Sequence, residues 1–338
     1  MRVSRRAALL IAALVVFALL GAATAALGLR WALQPALASA PRAIFDVNAG
    51  VGLGQVAREL EARGLIRSAF ALKLLARYHK LDGALQVGEY ELSAALAPGE
   101  ILTRIVEGRV VTYEVSIPEG LTAAQIAPRL EAAGLANAAE FAAFATDPAS
   151  AGSLGVEGAT LEGYLFPETY RLPRGLGVRE VAKVLVDQFL EVWREIEPLA
   201  REQKLSMLEV VTLASIVEKE TAAPQERPLI ASVFRNRMKR GMRLETDPTV
   251  IYGIPDFDGN LRRSDLENAA NPYNTYQISG LPPGPIANPG SEALRAVVDP
   301  AESDYLFFVS RNDGTHVFSK TYAEHVRAVD QYQRKRSR

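Results

Sequence analysis

The stretch Ala214-Ser-Ile-Val-Glu218-Lys-Glu-Thr221 puts two carboxylates at the end of an apolar run. Its pattern predicts a helix over 207–221. At about 100° per residue from Met207, Val210, Val211, Ala214 and Val217 gather on one side. Glu218 falls at about 20°, inside that apolar arc, whereas Lys219 falls near 120° and Glu220 near 220°. A carboxylate turned toward a core is disfavoured as an anion, so its pKa rises. A carboxylic acid still protonated near neutral pH is what general-acid cleavage of a glycosidic bond requires. The same position also suits an ion pair with a core Arg or the closing of a helix end. The pattern alone leaves these open.

Other chemistries find less support. Ser215 and Lys219 are four apart, whereas a serine acylase of the S-x-x-K type needs three. No G-x-S-x-G, phosphate-binding loop or dinucleotide fingerprint occurs. The chain has no Cys, which excludes a disulfide framework and thiol catalysis. Its three His (His79, His316, His325) form no H-E-x-x-H, so a His-rich metal site is not expected. Asp247-Pro248 reads as the cap and first residue of a helix starting at Thr249. Tyr273, Asn274 and Tyr276 put aromatic faces and an amide in a Pro-bounded loop. Such a loop suits stacking on sugar rings or filling a core edge.

The elements that must hold these residues form a mainly helical α+β region over 155–328. Helical patterns run at 178–199, 207–221, 228–239 and 323–332. Loops rich in turn formers lie at 161–173 and 271–290. The segments 305–309 and 315–319 flank Asn312-Asp313-Gly314 and predict a hairpin.

The preceding region, 42–150, repeats itself after 70 residues. Val47-Asn48-Ala49-Gly50 aligns with Ile117-Pro118-Glu119-Gly120, and 56–61 aligns with 126–131. Each copy predicts a short strand, a Gly turn, an amphipathic helix stopped by Gly64 or Gly134, and a second helix. Between the copies, 86–93 and 110–117 read as strands and 98–107 as a helix. The strand–helix–helix unit resembles the LysM type of glycan-binding module, although generic α+β packing gives the same pattern.

Residues 7–29 carry no charge and, as a helix, span about 34 Å, enough to cross a bilayer core. Arg2, Arg5 and Arg6 precede this run, which places 1–6 in the cytoplasm and the body outside. A buried core helix is the first alternative. A cleaved signal peptide, ending at Ala38-Ser39-Ala40, is the second, but the run exceeds the usual apolar length of such a peptide. An uncleaved single-pass anchor in the cytoplasmic membrane is expected. The formal net charge of −1 hides a split. Residues 1–41 and the tail 331–338 each carry four basic residues and no acid, leaving −9 on the body between. A body that acidic is not expected to bind nucleic acid.

Several motifs occur together in one order. They are Glu162-Gly-Tyr-Leu-Phe-Pro-Glu-Thr-Tyr170, the 214–221 run, Met242-Arg-Leu-Glu-Thr-Asp-Pro-Thr-Val-Ile-Tyr-Gly253, Pro272-Tyr-Asn-Thr-Tyr276, Gly280-Leu-Pro-Pro-Gly-Pro-Ile-Ala-Asn-Pro-Gly290 and Gly314-Thr-His-Val-Phe-Ser319. In these the chain resembles the YceG-like family, the endolytic murein transglycosylases, over roughly 42–328. The resemblance implies a membrane-anchored enzyme that cuts peptidoglycan glycan strands and limits their length, with a LysM-like subdomain ahead of the catalytic part. By matching position Glu218 would be the catalytic acid. It would protonate the oxygen between N-acetylmuramic acid and N-acetylglucosamine. The muramic C6 hydroxyl would then close a 1,6-anhydro ring, an intramolecular capture that needs no positioned water. The resemblance also implies a peptidoglycan synthase as partner and no metal or organic cofactor; on that reading Tyr273, Asn274 and Tyr276 would line the sugar groove and Asp247 would shape its wall. The competing readings are a non-catalytic peptidoglycan scaffold and a hydrolase in which Glu168 or Glu220 activates water. No role is attached to Glu226 or Glu245.

Overall fold

The same local arrangement forms twice along the chain. The computed structural model describes residues 5–221 and 223–334. Helix α1 (Arg5–Ala32) is followed by β1 (Ala43–Val47), α2 (Leu53–Ala62), α3 (Ala69–Tyr78), β2 (Gly88–Leu92) and α4 (Pro98–Val106). Then come β3 (Tyr113–Ser116), α5 (Ala123–Ala132), α6 (Ala138–Thr146), α7 (Pro148–Ser153) and β4 (Thr169–Leu172). In each set the first strand pairs antiparallel with the last, Phe45 opposite Tyr90 and Val115 opposite Tyr170. Each of those tyrosines donates its hydroxyl to the backbone carbonyl four residues earlier, Gln86 at 2.7 Å and Phe166 at 2.6 Å.

The glycines end the helices for the reason the spacing suggests. Gly64 (φ +71°) and Gly134 (φ +69°) adopt the left-handed conformation that side chains resist. Leu65 N–H then reaches the Leu60 carbonyl and Gly64 N–H the Glu61 carbonyl, and Leu135 and Gly134 repeat this with Leu130 and Glu131. Both are Schellman closures.

The two copies belong to different compact units. One unit runs to Thr112 and takes in Pro173–Gly175; the other holds Tyr113–Leu172 and everything from Leu176. Residues 113–150, expected with the N-terminal region, therefore share a core with the segments beyond 155. The first unit packs Phe45, Leu60, Leu72, Tyr90 and Ile101 around its own centre. Helix α1 is a candidate membrane span over Leu9–Ala32, with none of its most apolar stretch buried. Residues 1–4, most of the expected cytoplasmic segment, and 335–338 of the basic tail lie outside the described residues.

The second unit adds α8 (Val178–Glu202), α9 (Met207–Glu220), α10 (Arg227–Lys239), α11 (Asp247–Tyr252), α12 (Arg263–Glu267), α13 (Ser291–Val298), β5 (Phe307–Ser310), β6 (His316–Ser319) and α14 (Tyr322–Val329). Helix α8 buries a regular stripe, Val181, Leu185, Phe189, Trp193, Ile196 and Ala200. It continues through Pro198, beyond the expected stop at 199. Strands β5 and β6 form the expected hairpin. The expected loop at 161–173 contains strand β4, because Tyr170 and Leu172 turn inward on alternate positions while β3 supplies a partner edge.

Helix α9 departs from the one-stripe expectation. Every residue from Val210 to Val217 is buried, so the helix is enclosed on all sides. Ser206 and Glu209 form a capping box that starts it. Ser215, fully buried, donates to the Thr212 carbonyl at 2.7 Å and accepts Ile286 N–H at 3.0 Å. An enclosed helix tolerates that hydroxyl only because both bonds are made. The bond to Ile286 also ties the 281–290 loop to α9.

Candidate active site

Glu218 sits where α9 emerges from this core, and three further segments converge on it. Its side chain is 6% exposed. Oε1 accepts from the Arg227 guanidinium at 2.7 Å, and Oε2 accepts from Gly290 N–H at 3.1 Å. Arg227, at the start of α10, is itself 7% exposed. It also donates to Glu119 and to Glu292, each at 3.0 Å. One buried guanidinium thus meets three carboxylates, which leaves the cluster with an excess of negative charge.

Burial pushes the Glu218 carboxyl above its ordinary value. The Gly290 N–H and the Arg227 charge pull it back, and the neighbouring Glu119 charge raises it again. Burial prevails, so the group holds a proton to higher pH than a free Glu. Two oxygens that each accept one hydrogen bond still have lone pairs for that proton. The ion pair with a core Arg and the raised pKa, alternatives on the sequence pattern, occur together.

The turn at 118–121 and the loop at 286–290 are held against each other. Gly120 N–H donates to the Asn288 carbonyl at 2.9 Å, and Asn288 N–H returns to Leu121 at 2.8 Å. Gly120 has φ +75°, and a Cβ there would stand 3.6 Å from Glu218 Cγ. The Asn288 side chain is fully buried: its Oδ1 accepts Leu165 N–H, and its Nδ2 donates to Leu121 and to Glu162. Glu162 also accepts from Ala123 N–H and from the Tyr252 hydroxyl. Burial pushes its carboxyl up to about 7. Glu162 lies beneath the site, and braces the loops that frame Glu218.

Glu119, Gly120, Glu218, Lys219, Glu220 and Arg227 line a cleft of about 300 Å³. Lys219 points away from the core, as its angle suggests, and donates to the Gly120 carbonyl at 3.2 Å. Glu220 is only partly exposed, takes a hydrogen bond from the Thr246 hydroxyl, and has its carboxyl raised by burial. It also lines an adjoining cleft of about 530 Å³ with Asp247, Tyr276, Arg237 and His316.

The other expected site residues divide. Tyr276 and Asp247 meet in this larger cleft, the Tyr276 hydroxyl donating to Asp247 Oδ1 at 2.8 Å. Asp247 does not cap α11: Thr246 holds the cap position, and the Asp247 carboxylate is committed to Tyr276. Asn274 does not reach a groove. It is 0% exposed, and its amide donates to the carbonyls of Asp265, Leu266 and Asn268. It fixes the loop from within, a role that the Pro-bounded pattern does not separate from sugar binding. Tyr273 is partly buried edge-on to Tyr252, 4.8 Å between ring centres. Glu168 is exposed, accepts Thr169 N–H and is not among the residues lining the Glu218 cleft.

Sequence reasoning missed Arg227, Glu119 and Gly290 as partners of Glu218. Arg227 opens a helix one turn after α9 ends, so a helix–turn–helix reading could bring it back to Glu218. Glu119 gives no such signal, because its approach depends on the pairing of the 118–121 turn with a loop far along the chain. Glu226 and His316, also unassigned, pair at 2.7 Å beside the larger cleft.

The sequence pattern of the YceG-like family matches residues 45–331. An endolytic murein transglycosylase of Bacillus subtilis is 30% identical, over 85% of this chain and 84% of its own length. An endolytic murein transglycosylase of Streptococcus pneumoniae is 28% identical over 84% of this chain, which spans about 57% of that longer relative. The crystal structure of a YceG-like protein from Listeria monocytogenes superposes with a TM-score of 0.58 at 33% identity, covering 85% of this chain and 98% of the other.

Proposed function

Because the chain belongs to the YceG-like family, we propose that it is a peptidoglycan lytic transglycosylase held to the membrane by α1, with Glu218 as its catalytic acid. The observation that carries this is the state of Glu218. Its carboxyl is shielded and holds its proton to higher pH than a free Glu, and it lines a cleft of about 300 Å³. Arg227 and the Gly290 N–H fix its orientation.

The chemistry follows from one carboxyl. Glu218 gives its proton to the oxygen linking N-acetylmuramic acid to N-acetylglucosamine, and the bond to the muramic C1 breaks. Arg227 and Gly290 N–H stabilise the carboxylate left behind. The C6 hydroxyl of the same muramic ring attacks C1 from the substrate itself, and its proton passes to Glu218. Holding the nucleophile within the substrate removes the entropic cost of recruiting water. The products are a 1,6-anhydromuramic end and a free N-acetylglucosamine end. The cut falls within strands, which limits their length, and a peptidoglycan synthase is the expected partner. The β1–α2–α3–β2 unit serves as a LysM-like glycan-binding module. The N-terminus lies in the cytoplasm and the body outside it.

A second reading has a specific observation behind it. Glu220 shares the Glu218 cleft and also has a raised carboxyl. A hydrolase with Glu220 activating water would release reducing muramic ends. A scaffold without activity would release nothing. Mass spectrometry of the fragments that the full-length protein releases from glycan strands separates the three. Anhydro ends, lighter than hydrolysed ends by one water, are expected.

A further inference from the structure

The outward side of α3 is unusual for a body that is otherwise acidic. Phe70, Leu74 and Tyr78 follow one another at helical spacing and are 71%, 42% and 81% exposed. Lys73 and Arg77 stand on the same side of the wheel, while Ala69, Ala71, Leu72 and Ala76 face the core. From 62 to 81 the sequence has five basic residues and no acid. Arg77 approaches Asp82 only at 3.6 Å, with both side chains largely exposed, so the stripe keeps its positive charge.

The start of α3 is fastened to the end of α1 within the same unit. The Arg67 guanidinium lies 4.6 Å from the centre of the Trp31 ring and donates to the Trp31 carbonyl at 3.1 Å. Ser68 then caps α3, accepting Ala71 N–H. Ala32, the last residue of α1, is buried. Where α1 crosses a bilayer, Trp31 sits at the boundary, the depth at which indole rings gather. Arg67 thus holds the first turn of α3 at that boundary.

We propose that α3 docks on an anionic lipid surface, the face of the same bilayer that α1 crosses, with Phe70, Leu74 and Tyr78 entering the headgroup region. Aromatic and aliphatic side chains ringed by Lys and Arg are the composition of a helix lying in a membrane interface. Each basic residue near such a surface strengthens partitioning roughly fivefold at low salt. The proposal rests on reading α1 as a membrane anchor.

The chain has no Cys, so single labels can be placed in the full-length protein without background. Phe70→Cys, Tyr78→Cys, Glu61→Cys and Phe17→Cys each carry an environment-sensitive dye. Each is reconstituted in phosphatidylcholine vesicles containing phosphatidylglycerol, with brominated lipid as quencher. The labels at 70 and 78 should be quenched several-fold more than that at 61, an exposed position on α2. Replacing phosphatidylglycerol by phosphatidylcholine, or adding Lys73→Glu with Arg77→Glu, should lower the quenching at 70. If 17 is quenched while 70 and 78 match 61, the docking is refuted and the anchor stands. If 17 is not quenched, the anchor reading fails, and the docking with it. Energy transfer between copies labelled at 70, without lipid quenching there, would overturn the proposal in favour of a second chain on α3.

Discussion

Glu218 and Arg227 are nine residues apart in sequence and 2.7 Å apart in space, joined across the turn between α9 and α10. The pair is not a simple neutralisation. Arg227 divides its charge among Glu218, Glu119 and Glu292, of which only Glu218 is deeply buried. The guanidinium orients the Glu218 carboxyl while burial keeps its acidity weak. A dedicated, fully solvated ion pair would instead have held Glu218 ionised and unable to donate a proton.

Glu218→Gln tests the assigned acid. The amide keeps the shape and can accept from Arg227 or Gly290, but it cannot give and recover a proton. General acid–base catalysis contributes about 10²–10⁴-fold, so release of anhydro fragments should fall by at least that range. The fold should persist, because burial already disfavours the charged form of the side chain being replaced. Near-normal release by this variant would remove Glu218 from the chemistry and point to Glu220.

Glu119→Gln should move the pH profile in one direction. The Glu119 charge raises the Glu218 carboxyl. Without it, and with Arg227 freed from one partner, Glu218 loses its proton at lower pH. On the proposed mechanism the protonated form is the active one, so the high-pH limb of kcat/KM should shift toward acid. A limb that stays put or moves toward base would show that the Arg227 cluster does not control Glu218.

Much of the fold was legible because its signals are local. The 70-residue echo, the glycines at 64 and 134, the 207–221 helix and the 305–319 hairpin follow from spacing and turn chemistry alone. The site was legible only in part. Glu218 fell on an apolar arc, yet α9 is enclosed all round, so that arc did not distinguish a site residue from a core one. Asn274 carried the residue type of a sugar ligand, but its amide goes to three backbone carbonyls. Side-chain type does not reveal where a hydrogen bond will be made. Strand β4 was hidden in a motif rich in turn formers, because its partner strand lies more than fifty residues earlier.

Glu162 should make stability depend on pH. Its carboxyl is raised from an ordinary 4.5 to about 7 by burial. Between those values the folded chain keeps a proton that the unfolded chain has released. The stability it contributes is complete below about 4.5 and is lost as pH climbs to about 7, a loss on the order of 3 kcal/mol. Trp193 lies in the core of the second unit, and Trp31→Phe leaves it as the sole indole reporter. Urea midpoints followed through Trp193 should fall across this range in that background and stay flatter once Glu162→Gln is added. Equal slopes in the two proteins would count against a protonated Glu162.

Gly163→Ala should be among the most damaging small changes in the second unit. Gly163 has φ +91°, a conformation that costs an L side chain roughly 1–2 kcal/mol. A Cβ there would also stand 2.6 Å from the Pro285 ring and 2.6 Å from Val211 Cγ1. Neither can move aside: Pro285 is a closed ring next to Ile286, which Ser215 holds, and Val211 is enclosed in α9. Overpacking of this kind costs typically about 1–3 kcal/mol more. Gly155→Ala is the control, since Gly155 has φ +80° with open space around it and should bear the backbone cost alone. The difference between the two variants in Trp193-detected urea unfolding measures the packing. Because Pro285 leads into the loop that brings Gly290 N–H to Glu218, Gly163→Ala should also lose glycan cleavage under conditions where it remains folded. Full cleavage together with equal destabilisation by both alanines would show that the 281–290 loop is not pressed against α9.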